Sequence, residues 1–160
     1  MSSTPREESS AIRLSTQFGE FEAAASHIIT FPEGLPGFER CLRFVVLRHA
    51  GPSPLVCLHA VDGPTASFLA IDPRRVLRRY QCAVSDAVRL RLGAGPNAFL
   101  LWLTIITIAN DDELFVNLRA PVVINPDRLL GLQVMPHDAL YPLHYRLELD
   151  ALARTGTDGA

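Results

Sequence analysis

Phe31-Pro32-Glu33-Gly34-Leu35-Pro36-Gly37-Phe38-Glu39 is the stretch on which the reading of this chain turns. Two prolines fix φ and two glycines free it, while Phe31, Leu35 and Phe38 hold bulky apolar groups at set places between them. A solvated linker has no use for such groups. The pattern predicts a tight double turn whose apolar residues plug the end of a β core. The other role open to it is a hydrophobic surface presented to a partner. Phe31, Pro32, Gly34, Leu35, Pro36, Gly37 and Phe38 are therefore the candidate structural motif.

Short strands are predicted on both sides of this turn. Upstream, Ile12, Leu14 and Thr16 alternate with polar neighbours, Phe18-Gly19-Glu20 supplies a turn, and Phe21 opens a second strand ahead of Ile28 to Phe31. Downstream, Leu42 to Leu47 and Leu55 to Val61 are separated by the breaker cluster Ala50-Gly51-Pro52-Ser53-Pro54. Ser67 to Ile71 ends in Asp72-Pro73, a cap and first turn for a helix over Arg74 to Arg79. Ala87 to Leu92 reads two ways: Val88, Leu90 and Leu92 alternate as in a strand, and Ser85-Asp86 offers a helix cap. Ala98 to Ile108, Glu113 to Leu118, Val122 to Ile124, Leu132 to Met135 and Tyr145 to Leu149 complete a series at close spacing, the pattern of a barrel or sandwich.

The chain has 160 residues, enough to bury a core without disulfides or metal, and it reads as one domain over residues 11–153. Residues 1–10 and 154–160 are polar, have nothing to pack and are expected to be disordered tails. Apolar content is near half and the formal net charge is −2, so no bulk field draws the chain to nucleic acid or anionic membrane. Cys41, Cys57 and Cys82 lack the close pairing of a zinc or redox site and read as structural thiols. The first residues lack the basic start and apolar core of a secretory signal, and the apolar run Ala98 to Ala109 is about half of a membrane span. A cytoplasmic location without membrane contact is expected.

Motifs for catalysis are missing or broken. Gly93-Ala94-Gly95-Pro96-Asn97-Ala98 loosely matches a dinucleotide loop, but Pro96 removes an amide and a β-type run follows it. All fifteen basic residues are arginine, so Schiff-base and phosphate-loop lysine chemistry is absent. His137, Asp138 and His144 lack a ligand spacing, and Asp111-Asp112-Glu113 reads as a solvated turn. Arg74, Arg75, Arg78 and Arg79 form a basic cluster, with Arg74 and Arg78 or Arg75 and Arg79 sharing a face if helical. It has neither the stacking aromatics nor the wide footprint of a nucleic-acid site. The expectation is a non-enzyme without cofactor or metal. Asn117, Asn125 and Gln133, flanked by apolar strands, are the candidate partner-binding residues; satisfying turn and bulge backbone is their other role.

The double turn, preceded by Phe18-Gly19-Glu20 and Ile28-Ile29, resembles the N-terminal signature of the FliW family of bacterial flagellar assembly factors. Phe68-Leu69-Ala70-Ile71-Asp72-Pro73, the run Val116-Asn117-Leu118-Arg119-Ala120-Pro121-Val122-Val123-Ile124-Asn125, and Gln133-Val134 follow in the family's order, so the resemblance spans about Ile12 to Leu143. It implies a mainly β, single-domain, partly open β-barrel with one or two short helices, the second over Ala87 to Leu92. It also implies binding of newly made flagellin, and release, when flagellin is exported, to antagonise the RNA-binding translational repressor CsrA. Such a switch needs competition or linkage between ligands and no active site. The chain departs from the family at Leu58-His59-Ala60, where a glutamine is usual, and at Ala23-Ala24-Ala25-Ser26, where many members are acidic. Acidic surface suits a basic partner. A small-ligand or flavin-binding barrel is the competing expectation.

Overall fold

The computed structural model describes residues 11–16, 19–24, 27–51, 53–62, 66–135 and 140–148. Both expected tails lie outside them, as do His137, Asp138, Phe18, Ala25 and Ser26. The strands are β1 (Ala11–Thr16), β2 (Gly19–Ala24), β3 (Ile28–Thr30), β4 (Arg43–His49), β5 (Val56–Ala60), β6 (Ser67–Ile71), β7 (Leu101–Ile108), β8 (Leu114–Val116), β9 (Val122–Asn125), β10 (Leu130–Gln133) and β11 (Tyr145–Leu147). Two short helices, α1 (Pro73–Val76) and α2 (Asp86–Arg91), lie between β6 and β7. The protein is mainly β, as the resemblance implied.

Seven strands close into a ring in the order β4, β3, β10, β9, β7, β6, β5 and back to β4. β2 and β3 lie end to end along one edge of β4, since Arg48 pairs Glu22 as well as Val56, and Val45 pairs Ile28 as well as His59. All the ring's contacts are antiparallel except β3 with β10, which is parallel and limited to the single pair Leu130↔Thr30. The Thr30 N–H adds one bond to Leu129 O at 2.9 Å. This joint is the barrel's thin seam.

Successive side chains leave a strand on opposite faces, and here both faces are buried. Phe44, Leu58, Ala70, Leu103 and Ile124 join one apolar cluster, while Val45, Leu47, Cys57, Trp102 and Val123 join a second on the other face. This explains why the strands read as near-continuous apolar runs.

The double turn forms as the sequence predicts. The Gly34 N–H donates to Phe31 O at 2.9 Å, and Phe38 N–H donates to Leu35 O at 2.7 Å around Pro36 and Gly37. Gly37 has φ +84°, the left-handed value that the third position of a type II turn requires after proline. Gly34, at φ +63°, also has no room for a Cβ, which would lie 2.7 Å from Phe38 O. Phe31 and Leu35 are buried, but Phe38 is 40% exposed and packs edge-on against Phe68 at 4.9 Å. The plug is thus Phe31 and Leu35, with Phe38 at its rim.

The first helix is shorter than expected. Asp72 caps it by accepting from Arg74 N at 2.8 Å, but Leu77 is extended (φ −134°, ψ 107°), so Arg78 and Arg79 fall beyond the helix and the shared arginine face does not form. Leu77 packs against the core, and this anchoring overrides the helical spacing. Arg74 pairs with Asp72 at 2.7 Å. Of the two readings of Ala87 to Leu92 the helix is the one that forms, over Asp86–Arg91, with the Ser85 hydroxyl accepting from Val88 N. The strand expected from Ala98 begins at Leu101, because a turn joins Ala98 N–H to Gly95 O and leaves Phe99 exposed.

Candidate functional site

The strongest polar construction lies between β8 and β9. Ile106 pairs Val116 and Leu103 pairs Val122, so three steps along β7 face six along the β8 to β9 segment and three extra residues must bulge from the ladder. The bulge occupies residues 117–121, which is why the predicted strand to Leu118 stops at Val116. Its orphaned backbone groups are taken up by side chains. The Thr104 hydroxyl donates to Asn117 O at 2.5 Å, and Tyr80 Oη donates to Leu118 O at 2.7 Å. Asn117 Oδ1 accepts from Arg119 N at 3.1 Å and Ala120 N at 3.0 Å. Gln133 Nε2 donates to Ala120 O at 3.0 Å.

The three candidate amides therefore occupy different settings. Asn117 and Gln133 meet at the two ends of one bulge, both half-buried. Asn125 lies apart and is 1% exposed: its Nδ2 donates to Leu92 O at 2.8 Å, tying the end of α2 to β9, and its Oδ1 accepts from Asp127 N. Among the described residues, Gln133 commits one donor hydrogen, to Ala120 O.

Beside the bulge runs a half-open groove of about 830 Å³ between α2 and its preceding loop on one side and β10 with residues 140–141 on the other. Trp102 lies at its buried floor, Val84 and Val88 line one wall, Val134 and Met135 the other, and Gln133 borders it. Among the described residues, Arg91 and Arg119 are its charged lining. Tyr80 and Tyr141 stack at 4.4 Å with 28° between ring planes, and Tyr141 Oη accepts from Gln81 N at 2.9 Å, which fixes the loop that closes one end. Burial pushes the Tyr80 hydroxyl well above the ordinary phenol value, so it remains a donor to Leu118 O at every physiological pH. Burial also raises the Cys82 thiol, which is the inert direction for a cysteine.

Sequence reasoning missed Trp102, Tyr80, Tyr141 and Arg119. The available signals were a hydroxyl at Thr104 inside an apolar run and the placement of Arg119 within the Val116 to Asn125 word. Among the described residues, no group of three or more His, Cys, Asp or Glu side chains is placed to hold a metal ion, and no helix is long and apolar enough to cross a membrane. His144 stacks on Phe115 with ring centres 3.8 Å apart.

Residues 13–147 match the family model described as FliW protein. The chain is 36% identical to the flagellar assembly factor FliW of Carboxydothermus hydrogenoformans, covering 91% of this chain and 95% of that protein. It is 37% identical to that of Natranaerobius thermophilus, covering 83% of this chain and 89% of its relative. A crystal structure of the flagellar assembly factor FliW superposes with a TM-score of 0.72 at 28% identity, covering 87% of this chain and 99% of that one. A match over most of the length, in sequence and in the ring of strands alike, means that this chain belongs to the FliW family of flagellar assembly factors.

Proposed function

We propose that this protein binds flagellin in the groove between α2 and β10, and that flagellin so bound keeps it from antagonising a CsrA-type translational regulator. Flagellin level would then set flagellin synthesis, in the cytoplasm and without catalysis. The observation that carries the reading is the groove itself: a floor at Trp102, valine-lined walls and the Gln133 amide at its border suit a segment of another protein. Membership of a family of flagellar assembly factors supports a partner among flagellar components. Asn117 and Gln133 serve the site by holding the bulge that shapes its wall, and Asn125 by holding α2.

Titration calorimetry of the full chain against flagellin from the same organism is the test. Saturable binding is expected, and Met135→Asp, which charges an exposed groove residue, should weaken it by about tenfold or more, since a carboxylate would have to be desolvated on docking. For the regulatory half, flagellin added to a preformed complex with the CsrA-type protein should release that protein. Absence of binding to any flagellin of the organism, with both proteins folded, overturns the reading.

A further inference from the structure

Among the described residues, Arg91 and Arg119 line the groove and no aspartate or glutamate does, although the chain as a whole carries a net charge of −2. Arg119 is half-buried, so its guanidinium has given up part of its hydration. Its Nε donates to Tyr141 O at 2.9 Å, and among the described residues no carboxylate neutralises it. A bond to a neutral carbonyl fixes the guanidinium plane, and among the described residues the two terminal nitrogens have no carboxylate to donate to in the two parallel bonds that such a fork can make.

Arg91 shows the ligand chemistry. It is already paired with a carboxylate, that of Glu33 in the double turn. Both partners are about half exposed, so the pair is weak and exchangeable against an incoming acid.

We propose that the groove recognises a carboxylate placed beside an apolar side chain on a partner protein segment, with Arg119 as the principal anion contact and Arg91, released by Glu33, as the second. This rests on the groove being the docking site proposed above and specifies what the docked segment must carry. Charge complementarity selects the acid, and the apolar floor at Trp102 selects its neighbour.

Trp102 is the only tryptophan of the chain, so its fluorescence reports occupancy of the groove. The probes are 4-phenylbutyrate and its uncharged amide, titrated into the full chain, followed by flagellin. The acid should perturb Trp102 emission saturably and bind about tenfold more tightly than the amide, the scale of a hydrogen bond to a charged group. Arg119→Gln should erase that preference, and Arg91→Gln, at an exposed position, should reduce it without loss of fold. Glu33→Gln should tighten acid binding about twofold to fivefold by freeing Arg91. Circular dichroism checks that each variant is folded, and Arg119→Lys should restore part of the preference because it keeps the charge.

Equal binding of acid and amide, a preference that survives in both arginine variants, or perturbation of Trp102 by single-stranded RNA but not by the acid would overturn the inference. Flagellin that binds wild type and Arg119→Gln equally overturns it while the flagellin function stands. Phenylbutyrate that behaves as expected while flagellin fails to bind removes the flagellin function and leaves the groove chemistry supported.

Discussion

The ring of Phe31 lies against the backbone of Gly131 in β10, so closely that a Cβ on Gly131 would come within 2.5 Å of the ring. The double turn and the strand beside the groove are thereby held together by one aromatic contact across the barrel seam. Phe31 also meets Phe44 edge-on at 5.2 Å.

Phe31→Ala should cost about 3 to 5 kcal/mol, because it empties a fully buried site. Phe38→Ala should cost about 1 kcal/mol, the scale of an edge-on aromatic pair at a partly exposed position. Chemical denaturation of the two variants checks the order. Equal losses would mean that Phe38 is part of the plug.

Gly131→Ala should destabilise by about 1 to 3 kcal/mol through overpacking against Phe31. In the double variant Gly131→Ala/Phe31→Leu the two effects should fail to add, because the smaller side chain makes room. Thermal melts of the four proteins close the cycle.

Tyr80→Phe should cost about 1 to 3 kcal/mol by leaving Leu118 O without its donor. The hydroxyl's raised pKa also sets a pH dependence. The folded state holds the proton above the value at which the unfolded chain releases it, so this contribution is complete below pH 10 and is lost as pH rises beyond it. Denaturation midpoints of wild type should therefore fall more steeply than those of Tyr80→Phe above pH 10.

Asn125→Ala should cost about 2 kcal/mol and loosen α2, since it orphans Leu92 O inside the protein. Amide exchange measured by mass spectrometry should rise in residues 86–92 before it rises in β4. Faster exchange in β4 alone would contradict the role given to this amide.

Asp62 is held below its ordinary pKa of 3.8, first by the hydrogen bonds from Arg43 at 2.5 Å and then by its charge. A lowered carboxylate pKa means stability that is present above 3.8 and lost as pH falls through the folded value. Asp62→Asn should remove that part of the acid sensitivity, read as a flatter stability profile below pH 4 than wild type shows.

The strands were legible because their residues alternate into two buried faces, as Phe44, Val45, Val46 and Leu47 do in β4. The double turn was legible because Pro36-Gly37 permits few backbones. The end of α1 was not, since the arginine spacing gives no sign that Leu77 is drawn out of the helix into the core. Nor was the groove. Val88, Trp102, Arg119 and Gln133 are far apart along the chain and come together only through ring closure. The amide words were visible, but an asparagine that braces a bulge and one that greets a ligand have the same one-letter code.

The single residue pair joining β3 to β10 gives this protein an uneven mechanical profile. A cylinder cut at that line becomes an open sheet with two raw edges, each able to template a neighbouring chain. The Thr30 amide should therefore be among the first in the ring to exchange with solvent, and variants that weaken the clasp of Phe31 on Gly131 should aggregate at temperatures where their strands are still formed. Solubility in this fold hangs on a hasp one residue wide.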